Sequence, residues 1–428
     1  MLNKATKAFL LWNKFRFLKR SRKDIEALQS RKLRALVAHA YATVPYWRDF
    51  FCAHHLKPDD IVSVKDLRRI PLTSKKDLVG LARERITSDA FDPNTLTLIK
   101  TSGTTGEPFS FFADPLYQRV VSLDTLRSKM RHGLRPGDRI LRIGGDETDI
   151  GRPARPFDQM FFRMARLPSK TAPAEIFRFY QAFRPHVVWS FISGLHALSL
   201  WMESQNVRPV WKPRFMICSA EVVHDFAREK VEDTFGANVV DRYSTAELGV
   251  IADECRTGSG YHLYEDSVIV EIVQAGGLPY LVGTNLDNYA TPFIRYNTRD
   301  VCHPQQENRA RCTCGLTTHK IQNIVGRDND FLKSPEGRDI APTALIYVMR
   351  PYYHAIAKFR FIQDSPESVQ LVVVPRDTEA LPILTKLADD VRQATCGLKP
   401  EIIRADHINP DPSGKLRIIQ YCVGKDTT

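Results

Sequence analysis

Four short apolar runs, Ile140–Ile143, Val187–Phe191, Phe215–Cys218 and Val239–Tyr243, each end in a polar or glycine-bearing turn, with helix-like patterns between several of them. Short continuous apolar runs are the pattern of strands covered on both faces, and helices between them supply the cover. The expected fold class is therefore α/β, with its site at the carboxyl ends of the strands. Val268–Val273 and Leu281–Leu286 read as two strands around a Gly276-Gly277 hairpin turn. The pattern shifts near Gly326: Phe359–Ile362, Val369–Val374, an amphipathic stretch at 381–394 and Glu401–Arg404 suggest a compact α+β domain. The expected division is a large domain over 1–326 and a small one over 327–428, which a chain of 428 residues can support.

The net charge of +12 is uneven: residues 1–35 hold eleven Lys/Arg against Asp24 and Glu26, leaving only +3 for the rest. A nucleic-acid partner is not expected of so neutral a body. Ala8, Leu11, Phe15 and Leu18 form a short apolar stripe in that basic segment. Two readings stand: a helix packed on the body, which is favoured, and peripheral contact with an anionic membrane surface through 1–35. No apolar run approaches the ~20 residues that span a bilayer, and no secretion signal is evident. With eight cysteines in a long chain of this kind, the expectation is a cytoplasmic protein without a disulfide scaffold.

The sharpest local signal is Thr101-Ser102-Gly103-Thr104-Thr105-Gly106-Glu107-Pro108. Its glycines and hydroxyls can present backbone N–H groups to phosphates, though no Gly-Lys-Ser/Thr ends it. Further on, Asp241-Arg-Tyr243-Ser244-Thr-Ala-Glu247 offers an aromatic face for a purine and a carboxylate for Mg2+. Thr284 to Asp300 ends in a carboxylate suited to two ribose hydroxyls, and Gly326-Arg327 lies at the domain break. Pro412-Ser-Gly-Lys415 places a lysine on a turn from which it can reach a developing charge.

Five such segments in this order resemble the adenylate-forming superfamily, and within it the phenylacetate–coenzyme A ligase family and its CapK-like relatives. The likeness includes Val44-Pro45-Tyr46-Trp47 and Ile70-Pro71-Leu72-Thr73. It implies a large multi-sheet adenylation domain and a smaller, mobile α+β C-terminal domain. It implies ATP-dependent activation of a small organic carboxylate as acyl-AMP, then transfer to coenzyme A. Alternative acceptors are an amine, a sugar amine or a carrier-protein thiol. A third alternative is a nucleotide-binding protein that has lost catalysis. By the resemblance, Ser102, Gly103, Thr104, Thr105 and Gly106 hold the ATP phosphates. Ser219, Ala220 and Glu221 form a turn against the adenine, Tyr243 with Ser244 beside it stacks on that ring, and Glu247 holds Mg2+. Asp300 takes the ribose, Arg327 contacts the nucleotide near the hinge, and Lys415 bridges the carboxylate and the α-phosphate. Three departures stand out: Ser244 and Arg299 replace glycines usual in the family, and Ala246 replaces a threonine.

Cys255, His262, Cys312 and Cys314 form a further pattern: two thiols one residue apart and a distant Cys/His pair can close a tetrahedral structural Zn2+ site. Cys302, His303 and His319 are reserve ligands. Unligated thiols are the alternative.

Overall fold

The computed structural model describes residues 4–100, 109–144, 162–258, 260–304, 312–376, 381–409 and 416–423. The chain divides into two compact units, one of residues 1–133 with 241–324 and the other of residues 134–240 with 325–428. The expected division at 326/327 rests instead on the change of sequence pattern near Gly326.

Three of the expected runs form strands in the second unit, with a further strand, Arg163–Leu167, beside them. Arg163–Leu167, Arg139–Ile143, Val187–Ser190 and Phe215–Ser219 lie side by side in that order, all parallel. Helices Pro173–Phe183, Ile192–Ser204 and Asp225–Phe235 pack on them through Tyr180, Leu195, Met202, Val231 and Phe235. The strands end toward Gly144, Phe191 and Ser219, where open α/β sheets place ligands. Gly144 has φ +125°, and a Cβ there would lie 3.3 Å from the Phe191 ring, so the strand-end turn demands glycine. A separate four-stranded sheet, ordered Lys399–Arg404, Ser368–Pro375, Ile356–Gln363, Ile419–Tyr421, is backed by helix Leu381–Ala394. Its core holds Phe361, Leu371, Val373, Leu387 and Val391.

In the first unit, Val268–Ala275 pairs antiparallel with Leu278–Asn285, and Ala275 faces Leu278 across the Gly276-Gly277 turn. Both glycines have positive φ, as a two-residue hairpin requires. Leu278–Asn285 pairs in turn with Tyr296–Pro304. Tyr261–Leu263 lies between Lys320–Arg327 and Gly249–Glu254, and the latter pairs with the Val239–Thr245 strand through residues 242–245. Helix Arg22–Thr43 ends at Val44, and Pro45 opens the next, Pro45–Ala53. Leu33, Val37, Trp47 and Phe51 build the core beneath them.

The basic N-terminal segment forms helix Lys4–Phe17, and it is tied to the body. Phe17 and Leu18 are buried. Lys14 Nζ lies 3.0 Å from Asp124 and 3.1 Å from Asp266, and donates to Ser267 Oγ at 2.7 Å. Arg22 pairs with Glu265 at 2.7 Å and Lys32 with Asp287 at 2.5 Å. Part of the terminal positive charge thus neutralises carboxylates of the body. Among the described residues, no helix is long and apolar enough to cross a membrane.

Candidate functional site

Glu247 sits on the turn between strands Val239–Thr245 and Gly249–Glu254, where a register shift at Tyr243/Ser244 bends the ladder. The turn is held from behind. Tyr117 Oη donates to Ala246 O at 3.0 Å, Asn285 Nδ2 donates to Glu247 O at 2.8 Å, and Leu248 N donates to Thr245 Oγ1 at 3.1 Å. Gly249, at φ +74°, has no room for a Cβ, which would meet Val121 at 3.2 Å and the Tyr117 hydroxyl at 3.3 Å. The Glu247 side chain accepts from Tyr296 Oη at 3.3 Å. Tyr296 and Asp300 lie on one strand, Tyr296–Pro304.

Asp300 is buried, and Tyr243 Oη donates to its Oδ2. Burial, and then the Asp300 charge, hold the Tyr243 hydroxyl well above its ordinary pKa, so it is a proton donor at neutral pH. This bond fixes where the Tyr243 ring lies. Ser244 is half-buried beside it, opposite Val250. Arg299 has φ +63°. The backbone keeps the left-handed form that favours glycine, at a cost of about 1 kcal/mol for a branched side chain. Tyr243, Glu247 and Asp300 are thus brought together, with Tyr296 as a partner that sequence reasoning left without a role.

In the second unit, Ser219 closes its strand and its Oγ accepts from Trp189 Nε1 at 3.3 Å. Ala220 follows at φ +71°, another left-handed non-glycine residue. Glu221 accepts from the backbone N of Ser193 at 3.0 Å and from its Oγ at 2.8 Å. Arg327 N donates to Asp330 Oδ2 at 3.2 Å. Arg417 pairs with Asp330 at 3.1 Å, and burial nevertheless pushes the Asp330 carboxyl up. The residues Ser102, Gly103, Thr104, Thr105, Gly106 and Lys415 lie outside the described residues, as do Gly145, Asp146 and Glu147.

Cys255, His262, Cys312 and Cys314 converge, their donor atoms all within 4.8 Å of one another. Cys255 Sγ is 3.6 Å from Cys312 Sγ, and Cys314 Sγ is 3.1 Å from His262 Nε2. His262 Nδ1 lies 3.1 Å from Thr318 Oγ1 and 3.3 Å from Thr318 O, which orients Nε2 toward the sulfurs. Burial pushes the His262 pKa down, favouring a neutral ring. Burial raises the Cys312 thiol, but hydrogen bonds from the Cys314 backbone and from His262 outweigh it and bring Cys312 down to about 5. The reserve residues are placed elsewhere. His319 pairs with Glu265 at 2.9 Å, and burial pushes the Cys302 thiol up to about 12.

The fold is that of the adenylate-forming enzymes. 2-Hydroxyisobutyryl-CoA ligase, solved in the postadenylation state with an acyl-AMP, superposes with a TM-score of 0.80 at 17% identity, covering 96% of this chain and 92% of that one. An anthranilate CoA ligase with anthranoyl-AMP superposes at 0.55 over 75% of this chain and 65% of that one, at 14% identity. Among curated proteins, the chain is a homologue of the phenylacetate-coenzyme A ligase of Thermus thermophilus, 25% identical over 410 residues, 90% of this chain and 87% of the other. It is also a homologue of the protein CapK of Staphylococcus aureus, 22% identical over 86% of this chain and 83% of that protein. No protein-family model matches the chain.

Proposed function

We propose that this chain is an acid–thiol ligase that activates a small organic carboxylate with ATP and passes the acyl group to coenzyme A. The observation that carries the reading is a pair of bonds: Tyr243 Oη donates to Asp300, and Tyr296, on the same strand as Asp300, donates to Glu247. It occurs in a chain homologous to phenylacetate-CoA ligase over nine-tenths of its length. In the first half-reaction a carboxylate oxygen attacks the α-phosphorus, the bond to the β-phosphate breaks, and pyrophosphate leaves. A weak nucleophile meeting a polyanion needs charge neutralisation and in-line placement more than acid–base chemistry. In the second, the thiol sulfur attacks the acyl carbon, AMP departs, and the thiol proton passes to solvent.

The roles are those the resemblance implies. Tyr243, fixed by Asp300, offers its ring to the adenine, and Asp300 offers a carboxylate to the ribose. Glu247, a half-buried carboxylate steadied by Tyr296, fits a hard cation such as Mg2+, which when bound offsets phosphate charge. Residues 102–106 bind the phosphates, the 219–221 turn lies against the base, and Arg327 contacts the nucleotide. Lys415 supplies the positive charge between carboxylate and α-phosphate. The segment 327–428 then moves and withdraws Lys415. Pyrophosphate–ATP exchange over a panel of aryl, aliphatic and amino acids tests this. Exchange should fall by about 100-fold or more in Lys415→Ala. Unchanged exchange would remove Lys415 from the chemistry.

Similarity to CapK keeps a second acceptor class in view, an amine, sugar amine or carrier-protein thiol. Mass spectrometry of products formed with each acceptor separates these.

The Cys255, His262, Cys312, Cys314 cluster fits a structural Zn2+: three thiols and an imidazole at tetrahedral spacing, with Thr318 orienting the histidine. The purified protein should carry about one zinc per chain by elemental mass spectrometry, the capacity of one four-ligand site. Cys312→Ser should lower that content, and an unchanged content would refute the assignment.

A further inference from the structure

Lys415 has a neighbour whose backbone is bonded to a distant carboxylate. The N–H of Leu416 donates to Glu221 Oε1 at 3.1 Å. That carboxylate is itself held in place, by the backbone N of Ser193 at 3.0 Å and the Ser193 hydroxyl at 2.8 Å. Ser193 lies in the first turn of helix Ile192–Ser204, whose Ncap residue, Phe191, makes no side-chain cap bond. Glu221 therefore satisfies a helix N-terminal donor from another segment, where negative charge is favoured. The left-handed backbone of Ala220, φ +71°, immediately precedes it. Strain of that kind persists where surrounding structure over-determines a turn.

Among the described residues, contacts on either side of 410–415 also come from the same segment. Arg360 donates to Asn409 O at 2.8 Å and to Arg417 O at 2.9 Å, bracketing 410–416 from both ends. Arg417 pairs with Asp330 at 3.1 Å. Arg360, Asp330 and Arg417 all belong to 327–428 and would travel with Lys415. Glu221 does not belong to that segment, so its bond to Leu416 ties the turn to the strand-end turn 219–221.

We propose that Glu221 is a positioning residue for adenylation. It fixes Leu416, the residue after Lys415, against the 219–221 turn, and its bond to Leu416 breaks before the acyl group moves to the thiol. The proposal rests on the adenylation reading above. Misplacing a charge by about 1 Å costs on the order of 10²-fold in rate, so a single backbone anchor is enough to matter. Deleting it should slow only the step that uses Lys415.

The test compares wild type, Glu221→Ala, Glu221→Gln and Ser193→Ala, each checked for an unchanged melting midpoint. Two rates are read: pyrophosphate–ATP exchange, and thioester formation from supplied acyl-adenylate and coenzyme A. Glu221→Ala should lower kcat for exchange by about 10- to 100-fold, a larger loss than in the thioester rate and one not confined to the KM for ATP. Glu221→Gln, whose amide oxygen still accepts, should restore most of the exchange, and Ser193→Ala should fall between. Hydrogen exchange at the Leu416 amide, read from a peptide that begins at least two residues before it, should quicken in Glu221→Ala without nucleotide. Equal losses in both half-reactions, a loss confined to the KM for ATP, or unchanged amide exchange would overturn the proposal. If wild type exchanges with no acid, the adenylation reading itself fails and takes this role with it. Amide exchange, which needs no turnover, tells that case apart.

Discussion

Arg127 and His224 are both enclosed by protein, and the units that hold them compensate in different ways. In the unit of 1–133 and 241–324, charge is buried and paired. Helix Pro115–Arg131 carries Arg127, whose side chain has 0% exposure, between Asp266 at 2.9 Å and Asp124 at 2.8 Å. Its guanidinium also lies over the Tyr264 ring, 4.1 Å from the centroid. With Lys14 the group is two cations and two anions. Arg131 and Asp253 add a second pair at 3.0 Å. In the unit of 134–240 and 325–428, His196 and His224 pack against Phe226, with centroids 5.3 and 6.1 Å away. Burial pushes both imidazoles down to about 4, so they stay neutral. Ion pairing pays for desolvation only while every partner is present, whereas neutrality needs no partner but fails once protons are abundant.

The largest expected effect breaks the paired side. Arg127→Met keeps the volume and leaves Asp124 and Asp266 sharing Lys14 alone. Removing one member of a buried ionic group costs about 3–5 kcal/mol. Hydrogen exchange should show that loss in Gly249–Glu254 and Val268–Ala275, while Arg139–Ile143 and Phe215–Ser219 keep their protection. Equal loss in both units would mean that they do not unfold separately, and the contrast would lose its meaning.

The same contrast marks what the sequence could convey. Strand runs, the Gly276-Gly277 hairpin and the helix break at Pro45 were legible because their causes are local: side-chain periodicity and backbone freedom. Tyr243, Glu247 and Asp300 were legible as motif residues, but the bond from Tyr243 to Asp300 joins positions 57 apart in sequence and was not. All four residues of the cysteine cluster, Cys255, His262, Cys312 and Cys314, were legible in the sequence, and the fold adds their convergence and the bond from Thr318 that orients the histidine. The N-terminal basic run was legible as a helix packed on the body, but not its partners. That Lys14 serves Asp124 and Asp266 depends on three distant segments meeting, as does the reach of Glu221 to Leu416. Arg299 was visible as a departure, and its φ of +63° shows the backbone demand that glycine would meet.

A smaller effect sharpens the comparison from the histidine side. The unfolded pKa of histidine is about 6.5, so the neutral folded state gives full stability above that value. As pH falls from 6.5 toward 4, the unfolded chain takes up protons that the folded chain refuses, and stability is lost. The groups facing His196 reinforce this: after burial, Arg376, Lys230 and Lys358 push its pKa down, against Glu203. For His224, Asp225 opposes burial only weakly. Each histidine should cost the second unit about 1–2 kcal/mol between pH 7 and pH 5. The buried carboxylates of the first unit behave otherwise. Burial would raise Asp253 and Asp266, but Arg131 for the first and Arg127 with Lys14 for the second outweigh it and hold both below the usual range. Their stabilisation is present above about pH 4 and is lost only below it. Hydrogen exchange at pH 7 and pH 5, corrected for intrinsic rates, should therefore show protection falling around Ile192–Ser204 and Asp225–Phe235 while Val268–Ala275, away from His262 and Cys312, holds. His224→Phe should remove about half of that pH dependence, since each histidine carries one share of it. A first unit that loosens by pH 5 before the second would show that its ion pairs, and not the histidines, set the acid limit of the chain.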